Sequence, residues 1–106
     1  MDPKISLVEI RKAQSDIATE MTKDGLSPDE KLNLEKASFH LRNLERLLVA
    51  SMEKSLISTL KKETVSLRKL TEEMKITSKR LTGISRILRK LVKITGHLID
   101  LLDMVK

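Results

Sequence analysis

The sequence predicts an all-α protein in which an antiparallel helical hairpin is followed by a long C-terminal helix, the whole packed as an oligomeric helical bundle. Three observations carry this. Apolar residues from Leu67 to Val105 recur at spacings of three and four without a slip: Leu67, Leu70, Met74, Leu81, Ile84, Leu88, Leu91, Leu98, Leu102 and Val105, with Thr77 and Thr95 filling the two remaining places of the register. Aromatic residues are only 1% of the chain, so a core must be built from Leu, Ile, Val, Met and Ala, the residues of helix-to-helix packing rather than of sheets. Finally, Ser27-Pro28-Asp29-Glu30 is a specific helix-start signature.

Length and composition set the scale. With 106 residues, 40% of them apolar, residues 1–106 suit one helical domain with a modest core. The absence of cysteine excludes disulfides and thiolate metal sites. No run approaches the roughly 18 apolar residues that a membrane span requires. The start of the chain leads into an amphipathic pattern rather than an apolar leader, so a cytoplasmic protein is expected.

Helix 1 is expected over about 3–23. Asp2 is placed as its N-cap and Pro3 at the first helical position, where a missing N–H costs nothing. Leu7, Ile10, Ala13, Ile17 and Met21 share one face, and Asp24-Gly25 ends the helix because glycine takes the left-handed cap conformation freely. At 1.5 Å per residue this helix is about 31 Å long.

Helix 2 is expected over about 28–60. Ser27 and Glu30 form a reciprocal capping box, Asp29 faces the positive end of the helix dipole, and Leu26 can staple against Leu32. The short link from Asp24 to Ser27 makes helices 1 and 2 a hairpin. Leu34, Ala37, Leu41, Leu44 and Leu48 keep heptad order, but Leu44, Leu48, Met52, Leu56 and Leu60 are spaced by four. Each such step turns the apolar face by about 40°, so a straight helix cannot keep that face on one partner. Either the chain turns somewhere between about Ser51 and Thr64, where Ser51, Ser55, Ser58, Thr59 and Thr64 offer capping hydroxyls, or one long helix changes partners midway. A turn near Leu60 to Glu63 is the expectation.

Helix 3 is expected over about 64–105, with a break near Gly83 as the alternative. The unbroken helix would be about 60 Å long, twice helix 1, and its uncovered seam predicts self-association, most simply as a homodimer. The interface residues expected are Leu81, Ile84, Leu88, Leu91, Leu98 and Leu102, with Thr77 and Thr95 helping to choose register. If the chain instead ends a helix around Lys79 to Gly83, four helices of similar length make a monomeric up-and-down bundle.

The charge is unevenly placed. The net charge is +6, and residues 67–106 alone carry ten basic and four acidic residues, which accounts for the whole surplus. Lys75, Lys79, Arg80, Arg86, Arg89, Lys90 and Lys93 fall opposite the seam, with no acid between Glu73 and Asp100. Like charges at i,i+4, such as Arg86/Lys90 and Arg89/Lys93, are each destabilising by about 0.2–0.5 kcal/mol. Three outlets are open: plain solvation of the face, ion pairs with acids such as Glu9, Asp16 and Glu20, or an anionic partner.

These features predict a non-enzymatic protein-interaction, oligomerisation or adaptor module. The alternative is a nucleic-acid-binding protein that uses the basic face of residues 75–93 for salt-sensitive phosphate contacts. A third expectation is association with acidic membrane surfaces through residues 84–102, which lack a tryptophan anchor. No catalytic, cofactor-binding or metal-binding set is expected. His40 and His97 follow Ala37 and Ile94 where a di-iron bundle needs Glu-x-x-His, and the spacing of His97, Asp100 and Asp103 reads as a surface cluster.

Overall fold

The computed structural model describes the backbone of residues 3–49 and 54–104 and the side chains of residues 6–49 and 57–103. It contains four helices and, among the described residues, no strand: α1 (Pro3–Met21), α2 (Pro28–Val49), α3 (Lys54–Thr77) and α4 (Thr82–Met104). Asp2, Ser51, Met52 and Val105, which the sequence reading uses, lie outside the described residues, as do the side chains of Ser55 and Leu56.

The start of α2 forms as its sequence dictates. The Ser27 N–H donates to Glu30 Oε1 at 2.9 Å, the Glu30 N–H donates to Ser27 Oγ at 3.1 Å, and the Ser27 carbonyl accepts the first helical bond from Lys31. Gly25 adopts φ +82°, the left-handed conformation that closes α1. Leu26 enters the core, but Leu32 is on the solvent side of α2, so the expected staple partner is exposed.

Both later boundaries differ from expectation. Leu60 to Glu63 are helical and lie inside α3, and the residues between the end of α2 at Val49 and the start of α3 at Lys54 lie outside the described ones. Among the described residues, Leu48 is the last buried residue of α2, and in α3 Ile57 packs against the core and Leu60 is buried in it. The long C-terminal helix is also divided. Its first half ends at Thr77, where the Ser78 N–H still reaches the Met74 carbonyl at 3.1 Å, and the second begins when the Leu81 carbonyl accepts from Ser85 at 2.8 Å. The run Ile76-Thr77-Ser78 has low helix propensity, two β-branched residues followed by a serine that competes for backbone bonds. Thr77, expected in the core, is exposed at that helix end.

The four helices, of 19 to 24 residues, are close enough in length to cover one another. α1 packs on α2 and α4, and α3 packs on α2 and α4, giving a compact bundle of 48 × 22 × 19 Å. Along α3 and α4 the contacts run in opposite sense: Ser85 with Thr71, Thr95 with Thr64, Asp103 with Lys61. One core joins Ile10, Ala13 and Ile17 of α1, Leu34, Leu41 and Leu44 of α2, Leu67, Leu70 and Met74 of α3, and Leu81, Leu88, Leu91 and Leu98 of α4.

Polar groups inside the α3–α4 contact are matched. Thr64 Oγ1 lies 3.2 Å from Thr95 Oγ1, and the Thr95 hydroxyl also reaches the Leu91 carbonyl at 3.0 Å. The Ser85 hydroxyl donates to the Thr71 carbonyl at 3.0 Å. Among the described residues no buried side-chain polar atom lacks a partner.

At one end the connection of α3 to α4 rests on that of α1 to α2. The Ser78 hydroxyl donates to Glu30 Oε2 at 2.5 Å, and Arg80 Nη2 donates to the Asp24 carbonyl at 2.7 Å. Midway, Arg11 pairs with Glu45 at 2.7 Å and His40 Nδ1 lies 2.6 Å from Glu63 Oε2.

Two predictions follow from this packing. Leu88 is fully buried, so Leu88→Ala is expected to lower stability by about 2–5 kcal/mol in urea titrations, against less than about 0.5 kcal/mol for the exposed Leu32→Ala. The Ser27 N–H, then the Ser78 hydroxyl, hold the Glu30 carboxyl below its ordinary value of 4.5, and Arg11, then Gln14, do the same for Glu45. A carboxyl with a depressed folded-state pKa contributes stability above its unfolded value and loses it as pH falls through the folded one. The melting temperature should therefore fall on acidification from 4.5 downward, and less steeply in Glu30→Gln.

Candidate functional site

The apolar residues expected to form an oligomer interface are placed inside the chain. Leu81, Ile84, Leu88, Leu91 and Leu98 are buried in the core of the single bundle, and Leu102 packs half-buried at its edge. α3 and α1 cover the face of α4 that a second chain was expected to cover. The apolar side of residues 84–102, the candidate membrane-contacting surface, is the same inward-facing surface.

The seven basic residues do not stay together. Arg80, in the connection between α3 and α4, turns toward α1, its Nε 3.7 Å from Glu20 Oε1. Lys90 faces α1 as well, with Nζ 3.9 Å from Glu9 Oε2. Those two take the ion-pair outlet with the acids foreseen for it. Lys79 is exposed in the connection.

The remaining four gather along the groove between α3 and α4. Lys75 from α3 and Arg86 and Arg89 from α4 line its upper part beside Thr82 and Ser85. Arg89 and Lys93 continue along its lower part, where Arg68 of α3 joins them. This lower part is an open cleft of about 410 Å³ that also includes Thr71, Glu72, Val92, Gly96, His97 and Asp100. Five cations thus line one groove with two carboxylates, Glu72 and Asp100, and none of the five has an ion-pair partner within 4.0 Å among the described residues.

The helices set this arrangement. On α4, Arg86, Arg89 and Lys93 recur at three and four residues and so form a stripe, opposite Leu88, Leu91 and Leu98. On α3, Arg68 and Lys75 are seven residues, two turns, apart. The hydroxyl contacts Thr71/Ser85 and Thr64/Thr95 hold the two helices together beneath the groove.

Arg68 escapes the sequence reading because only the division of the long helix brings it into one cleft with Arg89 and Lys93. Gly96 escapes it too. It stands well inside α4, where glycine costs about 1 kcal/mol relative to alanine, and a Cβ added there would meet nothing within 4 Å. Gly83 is equally open but lies in the first turn of α4, where backbone N–H groups have no helical partner to lose.

The His97, Asp100 and Asp103 cluster is separated: His97 and Asp100 line the cleft, while Asp103 Oδ2 pairs with Lys61 at 2.9 Å. Among the described residues no three His, Asp or Glu side chains are grouped to hold a metal ion, and no helix is long and apolar enough to cross a membrane.

Gly96→Ala is expected to raise stability by about 1 kcal/mol in urea titrations, since the added methyl improves helix propensity without a clash. A loss of stability would show that the space above Gly96 is not open. Compared with known proteins, the chain matches no protein-family profile, no curated sequence and no solved structure.

Proposed function

We propose that this chain is a non-enzymatic helical interaction module, an adaptor that engages a protein partner through the cationic groove between α3 and α4. One observation carries the reading: Arg68, Lys75, Arg86, Arg89 and Lys93 converge on that groove without an ion-pair partner of their own among the described residues. Assembling like charges along one surface is unfavourable in the free protein, and an acidic partner relieves it. Burial of Leu81, Leu88, Leu91 and Leu98 within the chain supports a partner different from itself over a homodimer.

The second reading, nucleic-acid binding, draws on the same cations, since Lys and Arg on one face are also what phosphate contact requires. Its target would be the phosphate backbone, because base stacking needs aromatic side chains and the chain has a single phenylalanine.

Light scattering on a sizing column at low and moderate salt should return the single-chain mass, 12.1 kDa, at both. Affinity capture from nuclease-treated extract of the source cells should then retain a defined protein that the triple variant Arg86→Glu/Arg89→Glu/Lys93→Glu releases. Retention that vanishes on nuclease treatment would move the function to nucleic acid, and a salt-resistant dimer would return the seam to self-pairing.

A further inference from the structure

The groove has a second property besides charge. Gly96 stands in its lower part, and among the described residues no atom lies within 4 Å of where its Cβ would be. A glycine inside a helix lets another backbone approach closely, because it carries no side chain. Here the fold supplies no such neighbour, and the approach is available only from outside.

The two carboxylates narrow the chemistry of what approaches. Glu72 and Asp100 share the lining with Arg68, Arg89 and Lys93. A nucleic-acid backbone is negative throughout and would run past both acids. A peptide can match the pattern, with acidic residues toward the arginines and lysines and a basic residue toward Glu72 or Asp100. A groove between two helices, with charged rims and Val92 and Gly96 on α4 beneath, is a shape that receives a third helix.

We infer that the groove between α3 and α4 is the docking site for an acidic amphipathic helix of another protein, which lies along the cationic rims with its backbone close above Gly96. This rests on the interaction reading and adds to it the partner's form and the point of closest approach. A small residue of the partner sits over Gly96, and its acidic residues, one helical turn apart, meet Arg89 and Lys93 on one side and Arg68 on the other.

The test uses the full chain and a fluorescein-labelled synthetic helix of about 20 residues, with glutamates at i, i+3, i+4 and i+7, one arginine and a central alanine, followed by anisotropy at low and moderate salt. A blunt-ended DNA duplex and vesicles containing anionic lipid are measured alongside. Saturable peptide binding is expected, weakened about tenfold or more by Arg89→Glu/Lys93→Glu. Gly96→Gln, which fills the groove while improving helix propensity, should weaken it comparably without lowering the melting temperature. Gly83→Gln, on the same helix outside the groove lining, should leave it unchanged.

Peptide binding that survives Gly96→Gln but falls with charge reversal would overturn the seated helix while leaving an interaction through the basic face intact. Absence of peptide binding would overturn the acidic-helix partner. A duplex or vesicles bound more tightly than the peptide, and released by the same charge reversal, would overturn both the inference and the protein-interaction reading.

Discussion

An apolar stripe that runs from Leu67 to the end of the chain must be covered, and the way it is covered decides the rest of the structure. The chain covers it with itself. By ending a helix at Thr77 and starting another at Thr82, it lays α4 along α3 and sets Leu67, Leu70 and Met74 in one core with Leu81, Leu88 and Leu91. Apolar burial is worth about 25 cal/mol per Å² wherever it occurs, so the stripe has no preference between a second chain and a second half. Local backbone chemistry tips the balance. Ile76, Thr77 and Ser78 weaken the helix at the point where folding back gives halves of 24 and 23 residues.

Once α3 and α4 lie together, their polar contacts fix how. Leucines slide past one another at little cost, whereas a buried hydroxyl must find its acceptor. Ser85 finds its acceptor only on the Thr71 carbonyl across the contact and so specifies one alignment, with Thr95 beside Thr64 in the same register. At the end of the bundle, Glu30 serves the α2 cap and the Ser78 hydroxyl at once, while Arg80 holds the Asp24 carbonyl. The connection between α3 and α4 is therefore braced by the element whose sequence most clearly marks a helix start.

The same folding sorts the charges. Lys90 on the α1 side of α4 and Arg80 in the connection before it meet Glu9 and Glu20. The cations on the α3 side meet Arg68 and Lys75 and have Glu72 and Asp100 as their only acidic neighbours in the lining. Charge alone would attract any polyanion. The mixed lining and the opening above Gly96 give the groove a pattern and a depth that charge alone lacks.

Much of the fold was legible because it is local. The capping box at Ser27 and Glu30, the left-handed Gly25, the face of α2 from Leu34 to Leu48 and the all-α class each depend on residues within a turn or two of one another. The number of helices was not, since a heptad pattern reads the same whether its cover is the same chain or another, and the register crosses residues 78–81 without a slip. The rotation of the face after Leu44 was visible, but spacing records only that the face turns, and the expected turn at Leu60 to Glu63 falls inside α3. The basic residues of α4 were plain in the sequence. Which of them remain unneutralised, and that Arg68 stands with them, was decided by tertiary structure alone, because charge pairing depends on distances across helices that a linear pattern does not contain.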